Sequence, residues 1–569
     1  MTSNQPGPTE LFSQQTHAEK YRGPNEDFSE AMSRIANACK DDDNHYHAFR
    51  EALLEMRFLP PGRVQAAMGA TKKVTAFNCF VMGTISDNFV GRDGIMQRAT
   101  EAAQTMRMGG GVGYDFSRLR PSGDIISTLQ SASSGPVSFM KIYDAVCHCT
   151  ASSGNRRGAQ MAVLRVDHPD IEEFIHCKRN TNELTGFNIS VGITDEFMEA
   201  VSRDDDFELV WGGRVYKTVR AKALWEQIMR GTWDWAEPGV LFLDAINNMN
   251  NLYYCETIEA TNPCGEQPLP PYGACLLGSF NLPKYIHPGR TGEPTFMYKA
   301  LKDDIPNVLR AIDNVIDRSD YPMDDQRDEA ISKRRIGIGV TGLANALEIL
   351  GHTYGSEGFV KAQDKIMRLI RDDLYMASAM LAKEKGSFPL LDKKKYLAGA
   401  FIKTLPGEVR DAIRKHGIRN SHLTSIAPTG TISLCADNVS SGVEPVFSHS
   451  VQRIVQTTEG ARTVDLTDFA FREWDVKGKT TAEVTVDEHL AVLLKASELV
   501  DSAVSKTCNI GDDVSWEDFQ EVYFAAWRGG AKGCTTFRAA GKRMGIMKAT
   551  PVEEASCEID LATGRRNCE

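Results

Sequence analysis

Four prolines within nine residues, Pro263, Pro268, Pro270 and Pro271, exclude a regular helix or a central strand from the segment Ala260-Thr-Asn-Pro-Cys-Gly-Glu-Gln-Pro-Leu-Pro-Pro-Tyr-Gly-Ala-Cys275. A stiff loop therefore carries Asn262, Cys264 and Glu266 at alternate positions. Alternate residues of an extended segment point the same way, so an amide, a thiol and a carboxylate are expected to face one small pocket. Cys264 taken alone reads as a buried thiol in a tight turn. The whole Asn-Pro-Cys-Gly-Glu string, with Cys275 eleven residues further on, reads as chemistry.

The rest of the chain is that of a large globular enzyme. Its 569 residues are 42% hydrophobic and 25% charged, enough for a sizeable core. A net charge of -11 argues against a protein that coats nucleic acid, which needs a basic surface, but leaves room for single nucleotides. The N-terminus lacks a basic segment followed by an apolar run, and no apolar stretch reaches 18 residues. Neither secretion nor membrane insertion is expected, and the cytoplasm follows by default. The 13 cysteines include no Cys-x-x-Cys pair, so the usual zinc pattern is missing and no metal ligands are named.

Residues 1–25 are polar and expected to be loosely ordered. Apolar groups at helical spacing (Phe28, Met32, Ile35, then Phe49, Leu53) predict two helices over 27–57, ended by Phe58-Leu-Pro-Pro-Gly62. From about residue 74, short β-like runs alternate with helical stretches: Phe80-Val-Met82, Met161-Ala-Val-Leu164, Ile189-Ser-Val-Gly-Ile193 and Ile336-Gly-Ile-Gly-Val340. Such alternation predicts an α/β fold. The expected organisation is an N-terminal helical region over 1–73, one catalytic body over 74–545 and a polar tail over 546–569 that carries Cys557 and Cys568.

Pro428-Thr429-Gly430-Thr431-Ile432-Ser433 sets a glycine among hydroxyl side chains, a turn that can offer N–H and O–H groups to phosphate. It lacks the Gly-Lys-Ser/Thr of a Walker loop, and the Gly109–Gly113 cluster lacks dinucleotide-binding spacing.

Taken together, these strings resemble ribonucleotide reductases, most closely the adenosylcobalamin-dependent class II. The resemblance runs from about residue 58 to 545. It is carried also by Phe77-Asn-Cys-Phe-Val81, Gly109-Gly-Gly-Val-Gly-Tyr-Asp-Phe-Ser-Arg-Leu-Arg-Pro121, Asn155-Arg-Arg-Gly-Ala159, His168-Pro-Asp-Ile-Glu-Glu-Phe-Ile175 and Ser441-Gly-Val-Glu-Pro445. It implies a ten-stranded α/β barrel with Cys264 as thiyl-radical site on a central finger loop. Glu266 would be the general base at the ribose 3′ hydroxyl, Asn262 a holder of substrate hydroxyls, and Cys79 with Cys275 the reducing pair. Residues 428–433 would cradle the substrate phosphates. Asp87, Arg120, Lys178 and Arg179 fall where relatives bind a deoxynucleotide effector. A homodimer and a thioredoxin-like reductant are implied as well.

Class I enzymes relay the radical from a second subunit through a late tyrosine pair. Here the only such pair, Tyr253-Tyr254, precedes Cys264, and Tyr523 is the only tyrosine after residue 500. A class III glycyl-radical context is missing near the C-terminus, so adenosylcobalamin is the expected radical generator. No Asp-x-His-x-x-Gly box is present and no residue is named as a cobalt ligand. No ATP-cone motif precedes Cys79, so overall on/off control by ATP and dATP is not expected. Cys557 and Cys568 are the candidate shuttle between reductant and active site. The competing readings are a class I large subunit, which would need its partner protein for activity, and a non-catalytic nucleotide-binding relative, expected to have lost Cys264 or Glu266.

Overall fold

The computed structural model describes residues 6–150, 159–180, 182–289, 292–457, 460–538, 541, 558–560 and 565–567. The site is built on eleven strands. They are β1 (Phe58–Leu59), β2 (Cys79–Val81), β3 (Gly111–Asp115), β4 (Gln160–Arg165), β5 (Phe187–Ile193), β6 (Gly239–Phe242), β7 (Ala274–Cys275), β8 (Leu277–Asn281), β9 (Gly337–Thr341), β10 (Thr507–Ile510) and β11 (Gly533–Arg538).

Strands β2 to β6 lie side by side and parallel. Parallel neighbours need long crossovers, and helices such as Ile95–Arg107, Gly135–Cys149 and Ala221–Trp235 supply them. At one end β11 joins β6 antiparallel and carries β10 parallel to itself. At the other end β7 joins β2 antiparallel, completing eight strands. A second sheet has β8 parallel to β9, with β1 antiparallel along the outer edge of β8. Isolated parallel bridges extend it from Ile338 to Thr424 and from Ile426 to Val504.

The central strands β4 to β6 are mostly apolar and buried on both faces, as parallel sheets covered on both sides require. Alternate residues divide between two cores. Tyr114, Ala162, Leu164, Ile189 and Val191 pack on the outer helices. Cys79, Val81, Met161, Val163, Leu241, Cys275 and Leu277 face inward, where they meet Ala260 and Leu269 from the two stems of the proline-rich loop. Among the described residues no helix is long and apolar enough to cross a membrane.

The two helices expected over 27–57 form as Phe28–Cys39 and Asp43–Leu54, the first opened by a capping box between Asp27 and Glu30. Residues 11–21, within the span expected to be loosely ordered, differ from expectation. Leu11–Tyr21 is a helix whose buried face is Phe12, Ser13, Thr16 and His17. A face that is mostly polar leaves no hydrophobic periodicity to read. Phe58–Leu59, read only as a helix terminator, also pairs with Phe280 and Ser279.

Candidate active site

The proline-rich loop is a hairpin that ends in a turn. Ala260 pairs with Leu269 and Thr261 with Pro268. Between them the Gly265 amide donates to the Asn262 carbonyl at 3.1 Å, which closes a four-residue turn over Asn262-Pro263-Cys264-Gly265. Proline at the second position and glycine at the fourth fit a type I turn, and Cys264 keeps an ordinary negative φ. The Asn262 side-chain oxygen accepts from the Gln267 amide at 3.0 Å, so Asn262 also braces the turn. The simple extended alternation expected from sequence is therefore replaced by a fold-back. Asn262 and Glu266 are 0% and 2% exposed, whereas Cys264 stands out as the exposed residue at the tip.

Three hydrogen bonds clamp this finger from different segments of the chain. From β5, Asn188 Nδ2 donates to the Pro263 carbonyl at 3.0 Å. From the opposite side, Ser425 Oγ and the Ala503 amide both donate to the Glu266 carbonyl at 2.9 Å. Glycines make the room. A Cβ on Gly113 would lie 1.9 Å from the Thr261 carbonyl oxygen, and one on Gly337 2.3 Å from the side-chain Nε2 of Gln267. In both Gly111-Val-Gly113 and Gly337-Ile-Gly339 the glycines alternate along a strand, so one face of each strand is stripped of side chains. That spacing was the available signal for these positions, and weighing the first only against a dinucleotide-binding loop missed it.

Cys79 and Cys275, 196 positions apart in sequence, are direct register partners on β2 and β7. Directly opposed antiparallel residues have Cα atoms about 4.5–5.5 Å apart. A disulfide spans about 4.4–6.8 Å. Both thiols are unbridged. Burial pushes the Cys275 thiol well above its ordinary range, and the charged forms of neighbouring Glu266, Cys79 and Cys264 push it the same way. Cys275 is thus held as the neutral thiol, beside both the finger tip and the second cysteine. A Cβ on Gly111 would stand 3.1 Å from Pro263 and 3.2 Å from Cys79 Sγ, which puts Cys79 against the finger as well. The fold therefore gathers Asn262, Cys264, Glu266, Cys79 and Cys275 into one cluster.

The Pro428–Ser433 segment follows Ser425 and Ala427, both of which reach the finger region. Thr429 adopts a left-handed conformation (φ 54°) and the helix Gly430–Cys435 starts immediately after it. The Thr429 hydroxyl pairs with Thr341 at 2.9 Å and accepts from the Gly442 amide at 2.7 Å. The Thr431 hydroxyl is buried with no hydrogen-bond partner among the described residues, and Gly430 faces open space.

Asp87 and Arg120 form an ion pair at 2.6 Å, with the Arg120 amide also donating to Asp87 at 3.1 Å. Lys178 pairs instead with Glu237 at 2.7 Å, and the Arg179 amide donates to the His176 carbonyl at 3.1 Å. Tyr253 and Tyr254 spend their hydroxyls on the carbonyls of Lys395 and Leu390, and Tyr523 is buried against Thr536. Cys557 and Cys568 lie outside the described residues. Among the described residues no group of three or more His, Cys, Asp or Glu side chains is arranged to hold a metal ion.

The family described as "Ribonucleotide reductase, barrel domain" matches residues 77–537. The chain is 34% identical to a vitamin B12-dependent ribonucleoside-diphosphate reductase of Mycobacterium tuberculosis, over 97% of this chain and 82% of that protein. It is 34% identical to the protein of the same name from Thermoplasma acidophilum, over 94% and 71%. It is 26% identical to a vitamin B12-dependent ribonucleotide reductase of Streptomyces avermitilis, over 95% and 64%. A finger of Asn-Pro-Cys-Gly-Glu set against two facing thiols, in a chain matched over most of its length, belongs to the ribonucleotide reductase family.

Proposed function

We propose that this chain reduces ribonucleotides, as diphosphates, to 2′-deoxyribonucleotides by cysteine-radical chemistry with adenosylcobalamin as radical generator. The observation that carries the reading is the cluster of Cys264, Glu266 and Asn262 on one turn with Cys79 and Cys275 paired beside it. Bound adenosylcobalamin supplies the radical that leaves Cys264 as a thiyl. The exposed Cys264 between two buried neighbours fits a generator that must reach that sulfur directly.

The residues then divide the work. Cys264 takes the hydrogen from the ribose 3′ carbon and later returns it. Glu266 accepts the 3′ hydroxyl proton, for which its place two residues from Cys264 gives reach. Asn262 Nδ2, buried without a partner among the described residues, is free to donate to a substrate hydroxyl. The 2′ hydroxyl leaves as water with a proton from one thiol of the pair. Cys79 and Cys275 together give two electrons and end as a disulfide, which their register permits. Thr431, Gly430 and their neighbours receive the diphosphate.

The strand pairing supports a closed ten-stranded barrel. Joining the segments at 424–426 and 504–510 between β9 and β11, and taking β7 with β8 as one strand, makes two parallel sets of five that meet antiparallel at β6/β11 and β2/β7. This reading takes 74–545 as the catalytic body, 1–73 as a helical N-terminal region and 546–569 as a redox tail served by a thioredoxin-like reductant. Effector binding falls to Asp87, Arg120, Lys178 and Arg179 near a homodimer interface.

The test is turnover of purified protein with adenosylcobalamin, dithiothreitol and each ribonucleotide. Product formation that needs the cofactor and no second protein is expected. Activity that depends on a diiron partner subunit, with none from cobalamin, overturns the reading.

A further inference from the structure

A six-residue helix cannot hold its own position, because nucleating a helical turn costs more than so few hydrogen bonds return. Gly430–Cys435, the helix assigned above to the substrate phosphates, must be held from outside. Its first turn is tied to the strands through Thr429, as described, and through Ser433, whose hydroxyl pairs with Ser441 at 3.0 Å. Its far end is tied to residues more than 400 positions earlier. The Ser13 hydroxyl donates to the Leu434 carbonyl at 2.6 Å, capping one of the acceptors that a helix end leaves open. Just beyond, Asp437 and Asn438 are both left-handed (φ 63° and 57°), so the chain reverses there. The Asp437 carboxylate, fully buried, accepts the backbone amides of Thr9 at 2.7 Å and Glu10 at 3.0 Å. Arg472 bridges the two segments, pairing with Glu10 at 3.0 Å and donating to the Asp437 carbonyl at 3.3 Å.

Apolar contact backs these anchors, since Ile432 is buried in the main core and Cys435 is buried beside it. Ile432 and Cys435, on the side of the helix toward the N-terminal region, border a cavity whose other walls include His17, Phe28, Met32 and Gln65. Apolar contact has no direction, so the polar ties decide where along it the helix sits. We infer that residues 9–13 are a positioning element for the phosphate site: through Ser13, Asp437 and Arg472 they fix the helix whose start receives the nucleotide's diphosphate.

This rests on assigning residues 428–433 to phosphate, so the experiment tests both separately. Calorimetric titrations compare a ribonucleoside diphosphate with the corresponding ribonucleoside. Ser13→Ala removes the cap. Glu10→Pro removes one amide donor while its ring suits the native φ of -71°. Glu10→Gln keeps that donor but weakens the Arg472 pair, so it separates the two ties, and Thr431→Val tests the phosphate assignment itself. Each lost hydrogen bond is expected to weaken diphosphate binding about fivefold in Ser13→Ala and Glu10→Pro. Nucleoside affinity should hold within about twofold, and Glu10→Gln should fall between the parent protein and Glu10→Pro. A Thr431→Val variant with much weaker diphosphate binding, beside Ser13→Ala and Glu10→Pro proteins that bind normally, leaves the phosphate site standing and overturns the positioning role. Equal weakening of both ligands also overturns it, since that marks a general structural defect. Unchanged diphosphate binding in Thr431→Val removes the phosphate assignment and the inference with it. If Glu10→Pro fails to fold, Ser13→Ala decides alone.

Discussion

Gly113→Ala isolates what the finger loop demands of the strands around it. The added Cβ would lie 1.9 Å from the Thr261 carbonyl oxygen, and real contacts of this kind are not found below 3.0 Å. The two must therefore separate by about 1 Å. Strand β3 cannot yield, because it is hydrogen-bonded to β2 on one side and β4 on the other. The finger stem has only two residue pairs of its own, so the finger moves. A displacement of about 1 Å in a reacting group costs on the order of 100-fold in rate. The overpacking itself costs about 1–3 kcal/mol, too little to unfold a protein of this size. The expected result is a fall in kcat of about 100-fold at saturating ribonucleotide and adenosylcobalamin, with a cooperative melt retained. Two further substitutions give the scale. Gly111→Ala meets Pro263 at 3.1 Å and Cys79 Sγ at 3.2 Å, contacts that small adjustments relieve, so its loss should be about tenfold or less. Gly407→Ala meets nothing within 4 Å and should be silent. A Gly113→Ala enzyme that keeps more than half of the parent kcat, or one no worse than Gly111→Ala, would refute the claim that finger position limits the chemistry.

Cys264→Ser should abolish tritium exchange between the cofactor 5′ carbon and solvent, because an alkoxyl radical is far harder to form than a thiyl; Cys275→Ser should retain that exchange yet form no deoxynucleotide, and normal product formation by either variant would contradict the roles given to them. Burial raises the Glu348 carboxyl from 4.5 to about 7, so its neutral form favours the fold and that contribution is lost as pH rises from about 4.5 through 7. Glu348→Gln should then gain in Tm relative to the parent between pH 5 and pH 8; a difference that does not change with pH would remove Glu348 as the cause. Replacing both Cys557 and Cys568 with serine should leave about one product per site with thioredoxin and restore turnover with a small dithiol, whereas full turnover with thioredoxin takes the tail out of the mechanism.

The parts of the site that sequence made legible are those set by neighbours along the chain. The prolines keep residues 260–275 from being a helix or a central strand, as expected, although reading Asn262-Pro-Cys-Gly265 as extended overlooks its fitness for a type I turn. Helices 28–39 and 43–54 announce themselves by apolar spacing. The runs at 161–164, 189–193 and 336–340 fall in β4, β5 and β9 to within a residue. Leu11–Tyr21 gave no such sign, because the surface it covers is itself polar: its buried Ser13 answers a carbonyl and its buried His17 shares a hydrogen bond with Gln65.

The facing of Cys79 and Cys275 depends on β7 arriving at the edge of β2, an event of tertiary structure to which a spacing of 196 residues is indifferent. The glycines of β3 and β9 lie between these cases. Glycine weakens a strand, so local reasoning finds no strand in Gly111-Val-Gly113. What overrides that cost is the Thr261 carbonyl, brought from 148 residues away to a place where any side chain would stand. A Gly-x-Gly repeat inside an otherwise apolar run therefore has a physical reading: one face of that strand is reserved for backbone arriving from elsewhere. Two such strands, β3 and β9, mark the space in which a reactive loop can stand inside the fold. Ser425 and Ala503 hold that loop by the same Glu266 carbonyl. The chemistry thus rests on side chains that were visible in the sequence, and their alignment rests on absent side chains that only the fold explains.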